Sequence, residues 1–154
     1  MNQPQEAIFK FENYRINKFS FSDPENEDQK INIAFNPSGL FIKEGSRFVV
    51  QFDFTTSGIE DGKQIISARM IASFKFNEAI ELNNIPDYFY KNSIAIVFPY
   101  LRAFVSSLTV LANVKPMILP ILNLGSLEKT LKENTTSIDV ELTETTNGGI
   151  PAIE

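Results

Sequence analysis

Residues 98–124 read F-P-Y-L-R-A-F-V-S-S-L-T-V-L-A-N-V-K-P-M-I-L-P-I-L-N-L, and this stretch decides the fold. In its first part Leu101, Phe104, Val105, Leu108, Leu111 and Ala112 recur at helical spacing, which predicts a long helix with one broad apolar face. Pro99 suits the first turn of that helix, where its missing N–H costs nothing, and residues 95–98 read as a preceding turn broken there. The second part, residues 115–124, holds two prolines among six Ile, Leu and Met residues. Proline removes a ladder or helix hydrogen bond, so this can be neither a central strand nor a helix, and an extended apolar crossover remains. On pattern alone its side chains either lie over a sheet as core or close over something as one wall of a groove. Ile31, Ile33 and Phe35 would form the opposite wall.

Upstream the period is two. Phe9 and Phe11, then Tyr14 and Ile16, then Phe19 and Phe21 alternate with two slips of phase, which predicts a long first strand carrying bulges. An acidic turn, D-P-E-N-E-D-Q-K at 23–30, precedes a short second strand in which Ile31, Ile33 and Phe35 share one face, and residues 36–45 read as a connection. Phe48, Val50, Phe52 and Phe54 mark a third strand. Through a turn containing Asp61-Gly62 it joins a fourth, where Ile66, Ala68, Met70, Ala72, Phe74 and Phe76 share a phase. Four strands followed by a helical half predict an α+β layer: a four-stranded antiparallel sheet, a long helix, the Pro-rich crossover and a short C-terminal helix.

That last helix runs from an N-cap at Ser126 to about Asn134, with Leu127 and Leu131 inward and Glu128 paired to Lys132 outside. Residues 1–134 thus read as a single domain. Residues 135–154 carry four acids and no base and read as a mobile acidic tail, although Ile138, Val140 and Leu142 alternate as a docked strand would.

The 154 residues contain no His and no Cys, which removes the imidazole base, the thiolate and ordinary zinc sites, and no nucleotide-binding glycine pattern occurs. Carboxylate pairs such as Asp53 with Glu60, or Glu78 with Glu81, are not placed in any apolar surround that would part their pKa values. The expectation is a protein that is not an enzyme and uses no cofactor or metal. With 14 basic against 19 acidic residues the net charge is −5 and the basic residues are scattered along the sequence, so nucleic acid is not an expected partner. No apolar segment reaches the roughly 20 residues of a membrane span, and the N-terminus lacks the pattern of a secretory signal. A cytoplasmic protein without membrane insertion is expected. All 18 aromatic residues are Phe or Tyr, enough that some could be surplus to a core and fill an oligomer interface or line a groove.

The string F-P-Y-L-R-A-F-V-S-S-L-T at 98–109, the crossover K-P-M-I-L-P-I-L-N-L and the short helix after it resemble the helical half of SecB, the bacterial export chaperone. Residues 9–24, with Phe19-Ser20-Phe21, resemble its first strand, and the resemblance spans roughly residues 9–131. It implies an ATP-independent holdase that binds unfolded polypeptides in hydrophobic grooves and assembles as a homotetramer. Ile31, Ile33 and Phe35 would then line the groove on the strand side, and Pro116, Met117, Ile118, Leu119, Ile121 and Leu122 on the crossover side. Leu101, Phe104, Val105, Leu108 and Leu111 would form the oligomer interface. The acidic positions by which SecB proteins engage the SecA motor align with Lys18, Ser22 and Ser67, none of them acidic, which leaves SecA or an antitoxin as partner classes. A scaffold subunit that assembles without binding clients is the rival reading, and a small-ligand protein with an enclosed pocket is a third.

Overall fold

In a computed structural model that describes residues 3–140, the strands β1 (Phe9–Phe21), β2 (Ile31–Ile42), β3 (Arg47–Gly58) and β4 (Gln64–Phe76) precede helix α1 (Asp87–Leu111), the crossover, helix α2 (Gly125–Glu133) and strand β5 (Thr135–Ile138). The sheet order is β1-β4-β3-β2-β5. Neighbours are antiparallel except β5, which runs parallel to β2.

The two phase slips of β1 are register shifts at Phe11/Asn13 and Ile16/Lys18. Each absorbs one residue, so Phe9, Phe11, Tyr14, Ile16, Phe19 and Phe21 stand opposite the apolar positions of β4 despite their uneven spacing. Phe48, Val50, Phe52 and Phe54 of β3 are fully buried, as are Ile66, Met70 and Phe74 of β4. Helix α1 supplies the other layer. Its Phe89 ring meets Phe9, Phe48 and Phe76 at 5.0, 4.8 and 4.9 Å and closes an aromatic core, each burial contributing about 1.5–3 kcal/mol.

Several expectations change. The sheet has five strands rather than four. β2 continues through Pro37 to Ile42 where a connection was expected. The backbone N–H groups of its even-numbered residues point to β3, while Gly39 and Lys43 donate theirs to Asn134 and Ile138 on the other side, so Pro37 lacks an N–H only where it would point away from β3. Gly39 is required by packing, since a Cβ there would lie 2.6 Å from the Phe48 ring and 2.7 Å from Thr135 Oγ1. The long helix begins at Asp87, not near Pro99, and Pro99 lies inside it. Pro99 and Ala95, the residue whose carbonyl loses its helical partner, are both exposed, so water can take that carbonyl. At 25 residues α1 is long and apolar enough to cross a membrane by length and composition, contrary to the shorter helix expected, yet nine of its residues are buried within the molecule.

At α2, Ser126 is not the N-cap: the helix starts at Gly125, whose N–H donates to Asn123 Oδ1 at 3.0 Å. Lys132 pairs with Asp87 of α1 at 2.6 Å rather than with Glu128. That pairing raises the Lys132 pKa through the hydrogen bond first and the Asp87 charge second. Of the stretch expected to be a mobile acidic tail, residues 135–138 form β5, because three hydroxyl residues and Ile138 can pair with the edge that β2 offers at Gly39–Ile42. Residues 141–154, Leu142 among them, lie outside the described residues.

Candidate functional site

The crossover folds back beside α1 because two hydroxyls of that helix hold it. Met117 donates its N–H to Thr109 Oγ1 at 2.9 Å, and Ser106 Oγ donates to the Met117 carbonyl at 3.2 Å. Thr109 is buried, and its own hydroxyl donates back to the helix carbonyls of Val105 and Ser106 at 3.0 and 2.9 Å. These anchors were missed from sequence. Their signal was a threonine standing four residues after Val105 on the inward stripe. Where the crossover begins, Lys115 Nζ meets Asp28 Oδ1 of the β1–β2 loop at 2.9 Å. The hydrogen bond and then the charge of Lys115 hold the Asp28 carboxyl below its usual range and raise the lysine. Both groups are exposed, so the pair orients the loop more than it stabilises the fold.

Between these anchors lies a hollow of about 210 Å³ walled by Phe21, Ile31, Ile65, Pro116, Met117 and Ile118. It brings Ile31 together with Pro116, Met117 and Ile118 of the expected groove. Small-ligand pockets occupy roughly 300–1,000 Å³, so this hollow suits one or two side chains rather than an enclosed ligand.

The remaining expected groove residues divide. Ile118 and Ile121 are 76% and 90% exposed on the crossover. Leu119 is 1% exposed and belongs to the core, because in an extended segment its side chain points opposite to those of Ile118 and Pro120. Phe35 is half-buried and stacks on Phe52 at 5.3 Å with Phe98 edge-on at 5.7 Å, so most of its ring serves the core. Ile33 and Leu122 are half-buried against that core.

The edge of β2 adds a feature that side-chain pattern could not reveal. From Ile31 to Ser38 the strand pairs only with β3, since β5 covers Gly39–Ile42 alone. The backbone N–H and C=O groups of Ile31, Ile33 and Phe35 therefore face outward along an edge about 17 Å long, which ends at the buried Pro37, whose carbonyl accepts from Asn134 Nδ2 at 3.4 Å.

The expected oligomer face also divides. Leu101 and Val105 are fully buried in the chain's own core, because the stripe Ile94, Val97, Leu101 and Val105 packs on the sheet, so they cannot meet another subunit. Phe104 and Leu108 are half-buried and Leu111 is exposed. Aromatic surface does remain where β1 meets α1: Tyr14 lies 4.4 Å from Tyr100, and Phe19 lies 5.5 Å from Phe104 with 59% of Phe19 exposed.

Among the described residues no group of His, Cys, Asp and Glu could hold a metal ion. Asp53 is tied to Arg69 by contacts of 2.8 and 3.3 Å. Lys18, opposite Arg69, and Ser67 lie on the outer sheet face, and Ser22 continues β1 by donating its N–H to the Ile65 carbonyl.

No family model matches the sequence. The chain is 28% identical over 155 residues to the uncharacterized protein MJ0357 of Methanocaldococcus jannaschii, a match that covers 94% of this chain and 100% of that one. Among solved structures it is similar to Mycobacterium tuberculosis Rv1957, a SecB-like chaperone in complex with a ChAD peptide from the Rv1956 HigA1 antitoxin. That similarity has a TM-score of 0.62 at 17% identity and covers 75% of this chain and 88% of that one. The layered sheet, the long helix, the apolar crossover and this likeness together establish that the chain has a SecB-like fold.

Proposed function

We propose that the protein is an ATP-independent holdase that binds extended, non-native polypeptide segments, an antitoxin-like segment among them, along β2 and the crossover. The observation that carries this reading is the open β2 edge at Ile31–Asn36 beside a crossover that exposes Ile118 and Ile121. An extended segment laid on that edge gains main-chain hydrogen bonds that do not depend on its sequence. Its apolar side chains can enter the hollow at Ile31 and Met117 or cover Ile118, each contributing roughly 1.5–3 kcal/mol. The antitoxin peptide bound to the structurally similar Rv1957 supports a client of this kind.

One short site of this sort binds weakly, and several sites acting together raise the affinity without new contacts. Self-association through the aromatic surface at Tyr14, Phe19, Tyr100 and Phe104 would supply them, and a homotetramer is the proposed assembly. The same surface favours the second reading, a scaffold subunit whose assembly leaves nothing for clients.

The deciding measurement mixes the protein with a chemically unfolded polypeptide and follows light scattering without nucleotide. A holdase suppresses aggregation near stoichiometric amounts and binds an environment-sensitive hydrophobic dye as an oligomer. An oligomer that neither suppresses aggregation nor binds the dye would support the scaffold and end the holdase reading.

A further inference from the structure

The uncovered face of the sheet carries a charge opposite to that of the whole chain. Pleat and register turn Lys10, Arg15, Lys18, Arg47, Arg69 and Lys75 to the side away from α1. The strands bring only two carboxylates to that side, Glu12 on Arg47 at 3.0 Å and Asp53 on Arg69 at 2.8 Å. Six of the 14 basic residues and two of the 19 acidic ones thus share one face, which carries +4 while the rest of the chain carries −9. Sequence position scatters these cations over β1, β3 and β4, and the strand register gathers them. Between them Ile42, Val49 and Ile71 floor a shallow hollow of about 480 Å³ with Arg15 and Arg47 at its rim.

We propose that this outer face docks an acidic segment of a partner protein in which carboxylates alternate with apolar residues. The cations meet the carboxylates, and the floor of Ile42, Val49 and Ile71 takes the apolar side chains between them. A field of this sign also speeds the encounter with an acidic partner. Nucleic acid fits the face less well. Tyr14 at the rim of the hollow is the ring the face offers a base, and it is already held against Tyr100 at 4.4 Å, while Glu12 and Asp53 sit among the cations where a phosphate backbone would run. An anionic membrane fits less well too, since the apolar residues are recessed beneath exposed lysines and offer nothing to insert. The face lies across the sheet from the crossover, so a client and an acidic partner can bind together.

The test uses the full chain and a short fluorescein-labelled peptide repeating Glu-Leu-Glu-Ser, followed by fluorescence anisotropy. Oligothymidine and vesicles of phosphatidylglycerol with phosphatidylcholine serve as competing probes. The expected result is saturable peptide binding that weakens with added salt and falls about tenfold or more in Arg15→Glu/Lys75→Glu, with an unchanged melting temperature. Lys18→Glu, at another exposed position, should lower the affinity by a smaller factor. Ile121→Ser on the crossover should leave it unchanged, which separates this face from the client site. No peptide binding, equal binding by the charge-reversed variants, loss of binding in Ile121→Ser, or tighter binding of oligothymidine or vesicles would overturn the proposal.

Discussion

The hydroxyl of Thr109 accepts a 2.9 Å hydrogen bond from the backbone N–H of Met117, eight residues along the chain, and so pins the crossover to the last turns of α1. Thr109 is buried and Met117 half-buried, so the bond sits at the margin of the core. Thr109→Val keeps the shape and removes the acceptor. It should destabilise the fold by about 0.5–1.5 kcal/mol, the net worth of one hydrogen bond whose half-buried donor can turn to water. Denaturant unfolding reads the loss, and limited proteolysis should cut the crossover sooner. A variant as stable and as protease-resistant as the parent would show that the contact is not an anchor.

Leu119 and Ile121 are two residues apart with opposite surroundings, 1% and 90% exposed. Leu119→Ala should cost about 2–5 kcal/mol by leaving a cavity. Ile121→Ser should change stability by no more than about 0.5 kcal/mol while reducing protection of an unfolded client. Thermal unfolding and aggregation assays on the same preparations check both. Equal stability losses at the two sites would contradict the arrangement.

The amides of Ile33 and Phe35 face the open edge of β2, whereas those of Asn32 and Ala34 pair with β3. In hydrogen exchange the first two should exchange fast in the free protein and slow when an unfolded peptide is added. The other two should be protected throughout. No change at Ile33 and Phe35 on saturation with peptide would place the client elsewhere.

Asp28 has its pKa lowered by Lys115, so the ion pair favours the folded loop above the ordinary carboxylate range and is lost as pH falls through the depressed value. Lys115 is raised, so its share is present below the usual lysine pKa and lost as pH rises past the elevated one. Proteolysis of residues 112–118 with an acid-tolerant protease should therefore quicken below about pH 4. Asp28→Asn should quicken it already at neutral pH and flatten that dependence. A parent and variant with the same pH profile would exclude the pair as a restraint.

Chain ending at Asn134 lacks β5 and leaves the Gly39–Ile42 edge unpaired. This truncation should lower stability by about 1–3 kcal/mol, from a few backbone hydrogen bonds each worth roughly 0.5–1.5 kcal/mol net. Calorimetry distinguishes this from the unchanged melting temperature that a mobile tail would predict.

Where a side chain's neighbours lie on its own element, the sequence was sufficient. The spacing 9, 11, 14, 16, 19, 21 specified both bulges of β1, because an apolar face can be kept across an odd step only by inserting a residue. Alternation defined β3 and the inward set of β4, and Pro116 and Pro120 excluded regular structure from the crossover. Tertiary structure alone decided the rest. Pro37 in a strand is tolerated because its missing N–H points away from β3, and Pro99 in a helix because it stands on the exposed side, and both sides are set by the neighbouring elements. Leu101 and Val105 could have met another subunit until α1 packed on its own sheet, and the aromatic surplus was mostly taken up by the core around Phe89. β5, the open edge at Ile31–Asn36 and the basic outer face all depend on which strands lie side by side. Periodicity reports the face a residue turns to, whereas edges and charge clusters come from pairing residues distant along the chain, which only the folded sheet brings together.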